Sequence, residues 1–152
     1  MTTIETRTPR FANPGPEEIR DMFSRIKTIA VVGLSPNPRR PSFRVASALQ
    51  RSGFRIVPVR PLVDEVLGEK AWPNLAELPQ PVDLVNVFRS AEHLDALVDD
   101  CVRLSVRRLW IQQGIVNENA AVRATAHGIW TVMDRCIQTD LSTLCEPAPR
   151  LG

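Results

Sequence analysis

The segment Thr28-Ile-Ala-Val-Val-Gly33 decides the fold class, because it is an unbroken apolar run that ends at a glycine. Further runs of this kind recur along the chain, and most are separated by helical patterns. Continuous β-branched runs are typical of strands that are buried on both faces of a parallel sheet. The sequence therefore predicts a Rossmann-like α/β fold, a doubly wound parallel five-stranded sheet with helices on both faces. The predicted strands are residues 28–32, 54–59, 82–87, 108–112 and 129–133.

Helical periodicity accounts for most of the segments between these strands. Apolar residues spaced i, i+3, i+4 and i+7 predict an amphipathic helix over residues 16–26. Three further helices are predicted over 42–52, 90–104 and 117–127, with Ser42, Ser90 and Asn117 as N-caps. The crossover over residues 60–81 is rich in proline instead, and is predicted to follow the sheet edge, with a short strand near 66–71 and a helical turn at 74–78.

Length and composition limit the function classes. The chain has 152 residues, which is enough for one domain with a full core. We expect an N-terminal arm (1–15), a folded domain (16–145) and a C-terminal tail (146–152). The 19 basic and 17 acidic residues nearly cancel, which argues against a nucleic-acid-binding protein, although 17 of the basic residues are arginine. Arginine grips phosphate and carboxylate, but its abundance can equally reflect genomic bias.

Several other classes are also unfavourable. The N-terminus is polar, and no apolar stretch approaches the length that spans a bilayer, so we expect a cytoplasmic protein with no membrane partner. The three cysteines show no CxxC spacing, and no His/Cys/Asp/Glu constellation is visible, so we expect no metal site. Neither histidine has a nucleophile or a paired acid at a suggestive spacing, so we assign no catalytic residue.

Chemistry in an open parallel sheet is expected at the carboxyl ends of the strands. Residues 33–42 follow the first predicted strand and lead into a helix N-terminus, where amide donors and the helix dipole favour a phosphate. The fingerprint GxGxxG is absent, since Gly33 stands alone and Ser35 replaces the second glycine. Arg60 follows the second strand, where an NAD site would need an acid, so a ribose phosphate of NADP or coenzyme A fits better. The alternative for Arg60 is a solvated surface residue.

A set of short segments resembles the CoA-binding domain proteins, stand-alone relatives of the Rossmann-like CoA-binding domain in the succinyl-CoA synthetase α subunit. The resemblance covers about residues 17–145. The segments are Ile29-Ala-Val-Val-Gly33, Arg40-Pro-Ser42, Val57-Pro-Val59, Val66-Leu-Gly68-Glu69, Val82-Asp83, Val87-Phe88-Arg89, Trp110-Ile-Gln112 with Gly114, and Met133-Asp-Arg-Cys136. The sequence departs from the family pattern at Leu34, Arg60 and Asn86, where Ala, Asn and Asp are common.

This resemblance implies a protein that binds coenzyme A or an acyl-CoA, and it favours a binding protein over an enzyme. It implies that three groups of residues surround the cofactor. Gly33, Ser35 and Arg40 would line the pyrophosphate, and Val59 with Arg60 would flank the adenosine. Val87, Phe88 and Arg89 would form the pocket wall, while Gln112, Gly114, Arg135 and Cys136 would close the opposite side.

Other interpretations stay open. An NADP-dependent oxidoreductase or an NADP-binding regulatory domain would share the fold and Arg60. A domain that signals the CoA or acyl-CoA level to a protein partner, or to a second copy of itself, is compatible with CoA binding. Cys136 beside Arg135 could form a mixed disulfide with the CoA thiol, because a cationic neighbour lowers a thiol pKa. It could equally be a small buried residue, as free cysteines often are.

Overall fold

The computed structural model describes residues 10–145. Residues 1–9 of the expected arm and the whole expected tail, 146–152, lie outside that range. The helices are α1 (Pro16–Arg25), α2 (Pro41–Arg51), α3 (Leu94–Arg103), α4 (Glu118–Ala126) and α5 (Ile137–Leu144). The strands are β1 (Thr28–Val32), β2 (Arg55–Val59), β3 (Glu65–Val66), β4 (Glu69–Lys70), β5 (Leu84–Val87), β6 (Arg108–Gln112) and β7 (Trp130–Arg135). Among these residues, no helix has the length and apolar character that crossing a membrane requires.

Five strands form one parallel sheet in the order β2-β1-β5-β6-β7. The chain starts in β1, adds β2 on one side, and returns to add β5, β6 and β7 on the other side. Strand order therefore reverses between β1 and β5, which register Ile29 against Leu84 and Val32 against Val87. This confirms the predicted Rossmann-like fold class.

Two apolar layers hold the helices on opposite faces of the sheet. One layer packs α1, α2 and α5 against the face that carries Ile29, Val31 and Trp110. The other packs α3 and α4 against the face that carries Val85 and Leu109. Because neighbouring residues of each strand point to opposite faces, both layers draw on the same five apolar runs.

The proline-rich crossover follows the sheet edge, as predicted. β3 and β4 form a two-stranded antiparallel hairpin, and a single 3-10 turn covers Leu75–Glu77. Between them, Trp72 pairs with the outer edge of β2: its backbone N–H donates to the Pro58 oxygen at 3.0 Å, and its oxygen accepts from the Arg60 N–H at 2.8 Å. The outward backbone of β2 is thereby closed near its carboxyl end.

A side chain closes the other edge of the sheet. The Asn13 amide donates to the Met133 oxygen at 2.9 Å, and the Asn13 Oδ1 accepts from the Met133 N–H at 2.8 Å. The amide group thus imitates a neighbouring strand on β7. Both edges of the sheet carry such a cover at the end where the parallel strands finish.

The structure corrects three details of the prediction. Ser42 is not an N-cap, because α2 begins at Pro41 with Arg40 as its cap residue. α3 begins only at Leu94, since a 3-10 helix occupies Ala91–His93. The last strand continues past Met133 to Arg135, and a further helix, α5, follows it directly.

Candidate ligand-binding site at the carboxyl ends of the strands

The carboxyl ends of β1 and β5 flank the point where strand order reverses. In sheets of this kind the loops on either side of that point separate, because one connection leads to one face and the next leads to the other. The separation opens a crevice above the sheet. The segments around it are the loop after β1, the end of β2 and residues 88–89 after β5.

Gly33 ends β1 in a conformation that favours glycine, with φ +85°. Its N–H donates to the Val59 oxygen at 2.8 Å, which ties the end of β1 to β2. A Cβ atom on Gly33 would lie 2.6 Å from the Phe88 oxygen and 3.2 Å from the Arg89 Cδ. The missing side chain therefore lets the segment after β5 lie directly against the end of β1.

The loop from Gly33 to α2 uses its own amides to hold its shape. The Ser35 N–H donates to the Ser42 Oγ at 3.0 Å, and the Asn37 N–H donates to the Ser35 Oγ at 3.1 Å. The Arg39 and Arg40 N–H groups both donate to Asn37. The amide donors expected for a phosphate are thus largely occupied. The hydroxyl groups of Ser35 and Ser42 accept these bonds and keep their own hydrogens for donation.

An open cleft with a volume of about 700 Å³, which we call the first cleft, lies over this loop. Its lining residues include Arg40 and Arg60, and none of those described is acidic. The Arg60 Nη1 donates to the Gly33 oxygen at 3.2 Å, so its guanidinium is held beside the end of β1. α2 adds the positive end of its dipole, with no acid in its first turn to offset it. The first cleft is therefore suited to an anion. The residues of its lining that sequence reasoning did not assign are Pro36, Asn37, Pro41, Ser42, Pro61, Leu62 and Val63.

A smaller cleft of about 210 Å³, the second cleft, adjoins the first and shares Pro61 with it. Its apolar lining includes Val32, Val59 and Leu97 from β1, β2 and α3. The polar groups at this cleft come from Asn74, Arg89, His93 and Asp100. The arrangement offers a mainly apolar slot beside a cationic cleft, as a flat heterocycle joined to phosphate requires.

Four predicted site residues lie farther along the sheet edge, at the ends of β6 and β7. The Gly114 N–H donates to the Asp134 Oδ1 at 2.8 Å, which ties the loop after β6 to the end of β7. The Arg135 guanidinium donates to both carboxylate oxygens of the buried Asp140, at 2.6 and 2.8 Å. This hydrogen-bonded pair raises the pKa of Arg135 and fixes the start of α5 to β7. The Arg135 charge is thus balanced by a carboxylate, whereas Arg40 and Arg60 have no acidic partner within residues 10–145.

A buried polar group, which we call the thiol cluster, consists of Asn86, Gln112 and Cys136. The Gln112 Oε1 accepts from the Asn86 Nδ2 at 3.4 Å and from the Ile137 N–H at 3.3 Å. The Asn86 Nδ2 also donates to the Trp110 oxygen at 3.2 Å. Asn86 is 0% exposed, and its Oδ1 has no hydrogen-bond partner among the described residues. Leaving a buried acceptor unpaired costs about 1–3 kcal/mol.

The Cys136 thiol lies at the start of α5 and is half-buried. Partial burial disfavours its thiolate, but hydrogen bonds outweigh this and lower the pKa of Cys136 below its ordinary value. They come from the side chain and backbone of Thr139, the side chain of Gln112 and the backbone of Gln138. The helix start thus stabilises the thiolate, a cause different from the cationic neighbour suggested by the sequence.

The predicted site residues thus fall into three neighbouring groups. The first cleft brings together Gly33, Ser35, Arg40, Arg60 and Phe88, and the second contains Val59 and Arg89. Gln112, Gly114, Arg135 and Cys136 lie at the ends of β6 and β7. Val87 differs from the rest, because it is 0% exposed and its side chain belongs to the core beneath α3 and α4. Within residues 10–145, no group of three or more His, Cys, Asp or Glu side chains could hold a metal ion.

Comparison with known proteins finds relatives by family model, by sequence and by structure. A family model described as CoA binding domain matches residues 27–142. The protein YneT of Bacillus subtilis (strain 168) is 43% identical over 126 residues, covering 83% of this chain and 93% of YneT. A hypothetical protein from Pyrococcus horikoshii OT3 superposes with a TM-score of 0.84 at 29% identity, covering 91% of this chain and 98% of the other. The ADP-forming acetate–CoA ligase II of Archaeoglobus fulgidus is 28% identical over 92 residues, which are 59% of this chain and only 14% of that enzyme.

Proposed function

This chain belongs to the CoA binding domain family, and from that membership and the geometry of the clefts we propose that it binds coenzyme A or an acyl-CoA. The observation that carries the proposal is the first cleft, where two arginines and a helix N-terminus meet without a lining acid among the described residues. Coenzyme A carries a pyrophosphate and a ribose 3′-phosphate, so it needs such a concentration of positive charge.

The pyrophosphate is assigned to the first cleft. Arg40 and the hydroxyl groups of Ser35 and Ser42 are the donors for it, because the loop amides are used internally. Arg60, held on the Gly33 oxygen, is the donor for the 3′-phosphate. Planar guanidinium groups suit phosphate oxygens, and each charge-assisted hydrogen bond contributes about 1.5–3 kcal/mol.

The adenine ring is assigned to the second cleft. Its volume of about 210 Å³ suits one bicyclic base, and Val32, Val59 and Leu97 offer apolar contact to the ring faces. The two clefts share Pro61, so a base in one and phosphates in the other can belong to one molecule. This assignment adds α3 to the adenosine-binding elements predicted from the sequence.

The pantetheine arm is assigned to the sheet edge between β1 and β7. Neighbouring strands lie 4.7–4.9 Å apart, so the three spacings from β1 through β5 and β6 to β7 amount to about 14 Å. The arm has about the length of four extended residues, or ~14 Å. A cofactor anchored beside Gly33 would therefore place its thiol end near Gln112 and Cys136.

NADP is the second candidate, because Arg60 follows β2 where a ribose 2′-phosphate would lie. Both cofactors share an adenosine, a pyrophosphate and a ribose phosphate. They differ at the other end of the molecule. NADP would bring a nicotinamide ring to the sheet edge above β5 and β6, whereas coenzyme A would bring its pantetheine arm there. The family membership favours coenzyme A. A protein that binds CoA without converting it, and passes the cofactor level to a partner or a second copy, is compatible with both proposals.

Heat unfolding with added ligands tests the proposal. We expect coenzyme A at 100 times its dissociation constant to stabilise the fold by about 2.7 kcal/mol, which raises Tm by about 5–10 °C. Acetyl-CoA, dephospho-CoA, NADPH and NAD complete the series. A rise in Tm with NADPH and none with coenzyme A, acetyl-CoA or dephospho-CoA would overturn the assignment in favour of the second candidate.

A further inference from the structure

Four residues other than glycine have a positive φ within residues 10–145, and the surroundings of three of them account for it. Leu67, with φ 55°, packs its side chain against the core. The carboxylate of Asp134, with φ 62°, accepts from the Gly114 N–H. Ser105, with φ 58°, follows the last residue of the α3 cap, where a left-handed residue commonly closes a helix.

Leu62, with φ 63°, is the fourth of these residues, and its side chain is fully exposed. Pro61 and Leu62 form a turn directly after Arg60. A proline followed by a residue with positive φ is the order found in a type II turn, which favours glycine or asparagine at the second position. A leucine there adopts an unfavourable backbone conformation and also exposes a large apolar side chain to water. No packing within the part of the chain that the structure describes offsets these two costs.

The position of Leu62 connects this turn to the ligand. Leu62 lines the first cleft, and its neighbour Pro61 lines both clefts. With the phosphates in the first cleft and the adenine ring in the second, the ribose that joins them passes Pro61. The Leu62 side chain is therefore available for apolar contact with the ribose and the edge of the ring.

We infer that Leu62 determines specificity for a nucleoside, because its side chain covers the nucleoside of the bound cofactor. The inference rests on the proposed binding of coenzyme A. Contact with the nucleoside removes the leucine from water, so its cost in the free chain is offset only in the complex. This role differs from that of Arg60, since every CoA species carries the nucleoside and only some carry the 3′-phosphate.

Calorimetric titration of Leu62→Gly and Leu62→Asn tests this inference, because both residues tolerate a positive φ and lack the apolar side chain. We expect each substitution to weaken coenzyme A and dephospho-CoA by the same factor, about tenfold. Adenosine 3′,5′-bisphosphate, which has the nucleoside without the pantetheine arm, should lose affinity by that factor too. Leu62→Met keeps an apolar side chain and should retain most of the affinity.

Heat unfolding of the free chain separates this role from a structural one. Without ligand, we expect Leu62→Gly to unfold at the same Tm as the parent or higher, because glycine suits the positive φ and no packed contact is lost. Leu67→Ala is the matched control, since Leu67 also has a positive φ but packs against the core. It should lower Tm and leave the affinity for coenzyme A unchanged.

The outcomes separate this inference from the proposed function. Unchanged affinity for coenzyme A in both Leu62→Gly and Leu62→Asn would refute the role of Leu62 and leave CoA binding intact. A ligand-free parent that sediments as a dimer, together with a monomeric Leu62→Gly chain, would also refute it, because a second copy would then cover the leucine. If coenzyme A gives no rise in Tm in the unmodified chain, the proposed function itself fails.

Discussion

The carbonyl oxygen of Phe88 lies 2.6 Å from the position that a Cβ atom of Gly33 would occupy. The end of β1 and the segment after β5 are therefore in contact at the point where the sheet reverses its strand order. This contact defines the floor between the two clefts. It also explains why residue 33 is a glycine.

Gly33→Ala should destabilise the fold and abolish CoA binding. The new methyl group would force apart β1 and residue 88, and alanine at φ +85° adds a backbone cost of about 1–2 kcal/mol. Gly128→Ala is the matched control, because Gly128 has φ +80° but open space around its Cβ position. We expect urea unfolding to show a larger loss for Gly33→Ala than for Gly128→Ala. Equal losses would mean that the contact with Phe88 is easily relaxed.

Arg60→Ala should distinguish the two phosphate assignments. Loss of one charge-assisted contact should weaken coenzyme A by about 10–100-fold and leave dephospho-CoA nearly unchanged, because only coenzyme A carries the 3′-phosphate. Arg40→Ala should weaken both ligands. Arg51→Ala, in the last turn of α2, is the control and should affect neither. Calorimetric titration gives the affinities, and an Arg60→Ala loss of equal size for both ligands would place that side chain at the pyrophosphate instead.

The folded chain should lose stability above pH 9, partly through Cys101. Its folded pKa is about 12, while an unfolded cysteine ionises near pH 8.5–9, so the unfolded state binds fewer protons between these values. The free energy of unfolding should then fall by about 1.4 kcal/mol per pH unit on account of this group. The other groups that titrate in this range are two lysines and two further cysteines, since the chain has no tyrosine, and comparison with a Cys101 variant removes their contribution. Denaturant unfolding of the parent and Cys101→Ala between pH 8 and 11 should give a flatter curve for the variant, and parallel curves would contradict the assignment.

Alkylation by iodoacetamide should select Cys136. Since the pKa of Cys136 is lowered, its alkylation rate should reach half of its maximum at a lower pH than that of an unstructured cysteine peptide. Thr139→Val should move the profile upward, because it removes a hydroxyl that stabilises the thiolate. Thr143→Val, one turn later in the same helix, is the control and should leave the profile in place. Peptide mapping by mass spectrometry over a pH series measures the labelling rate of each cysteine. Faster labelling of Cys145 than of Cys136 would disprove the environment described for α5.

The strand pattern could be predicted because it depends on composition over several residues. Apolar runs set β1, β2, β5 and β6 to within two residues, and Asn117 caps α4 through its side chain as predicted. At α2 the proline gave the better signal: Pro41 favours the first helical position, so Arg40 and not Ser42 is the cap residue. Ser42 instead accepts from the Ser35 N–H across the loop between β1 and α2, a role that capping statistics do not describe.

The last strand and helix could not be predicted from local signals. Asp134 has φ +62°, and the register between β6 and β7 shifts at Gln112, so the strand continues through a bulge that no glycine marks. α5 contains two threonines, an aspartate and a serine, which are weak helix formers. It is held by burial of Ile137 and by the Arg135–Asp140 pair, both of which depend on tertiary structure. The place of Asn86 beside Gln112 and Cys136 was missed for the same reason, because these residues come from three separate segments.

The covers on the two sheet edges have a consequence for assembly. Asn13 occupies the outward backbone of β7, and Trp72 occupies that of β2. Two copies that joined into one continuous ten-stranded sheet would first have to displace one of these residues from its hydrogen bonds. A dimer of this chain is therefore expected to meet through helix surfaces, and the same two contacts protect the sheet against strand-by-strand aggregation.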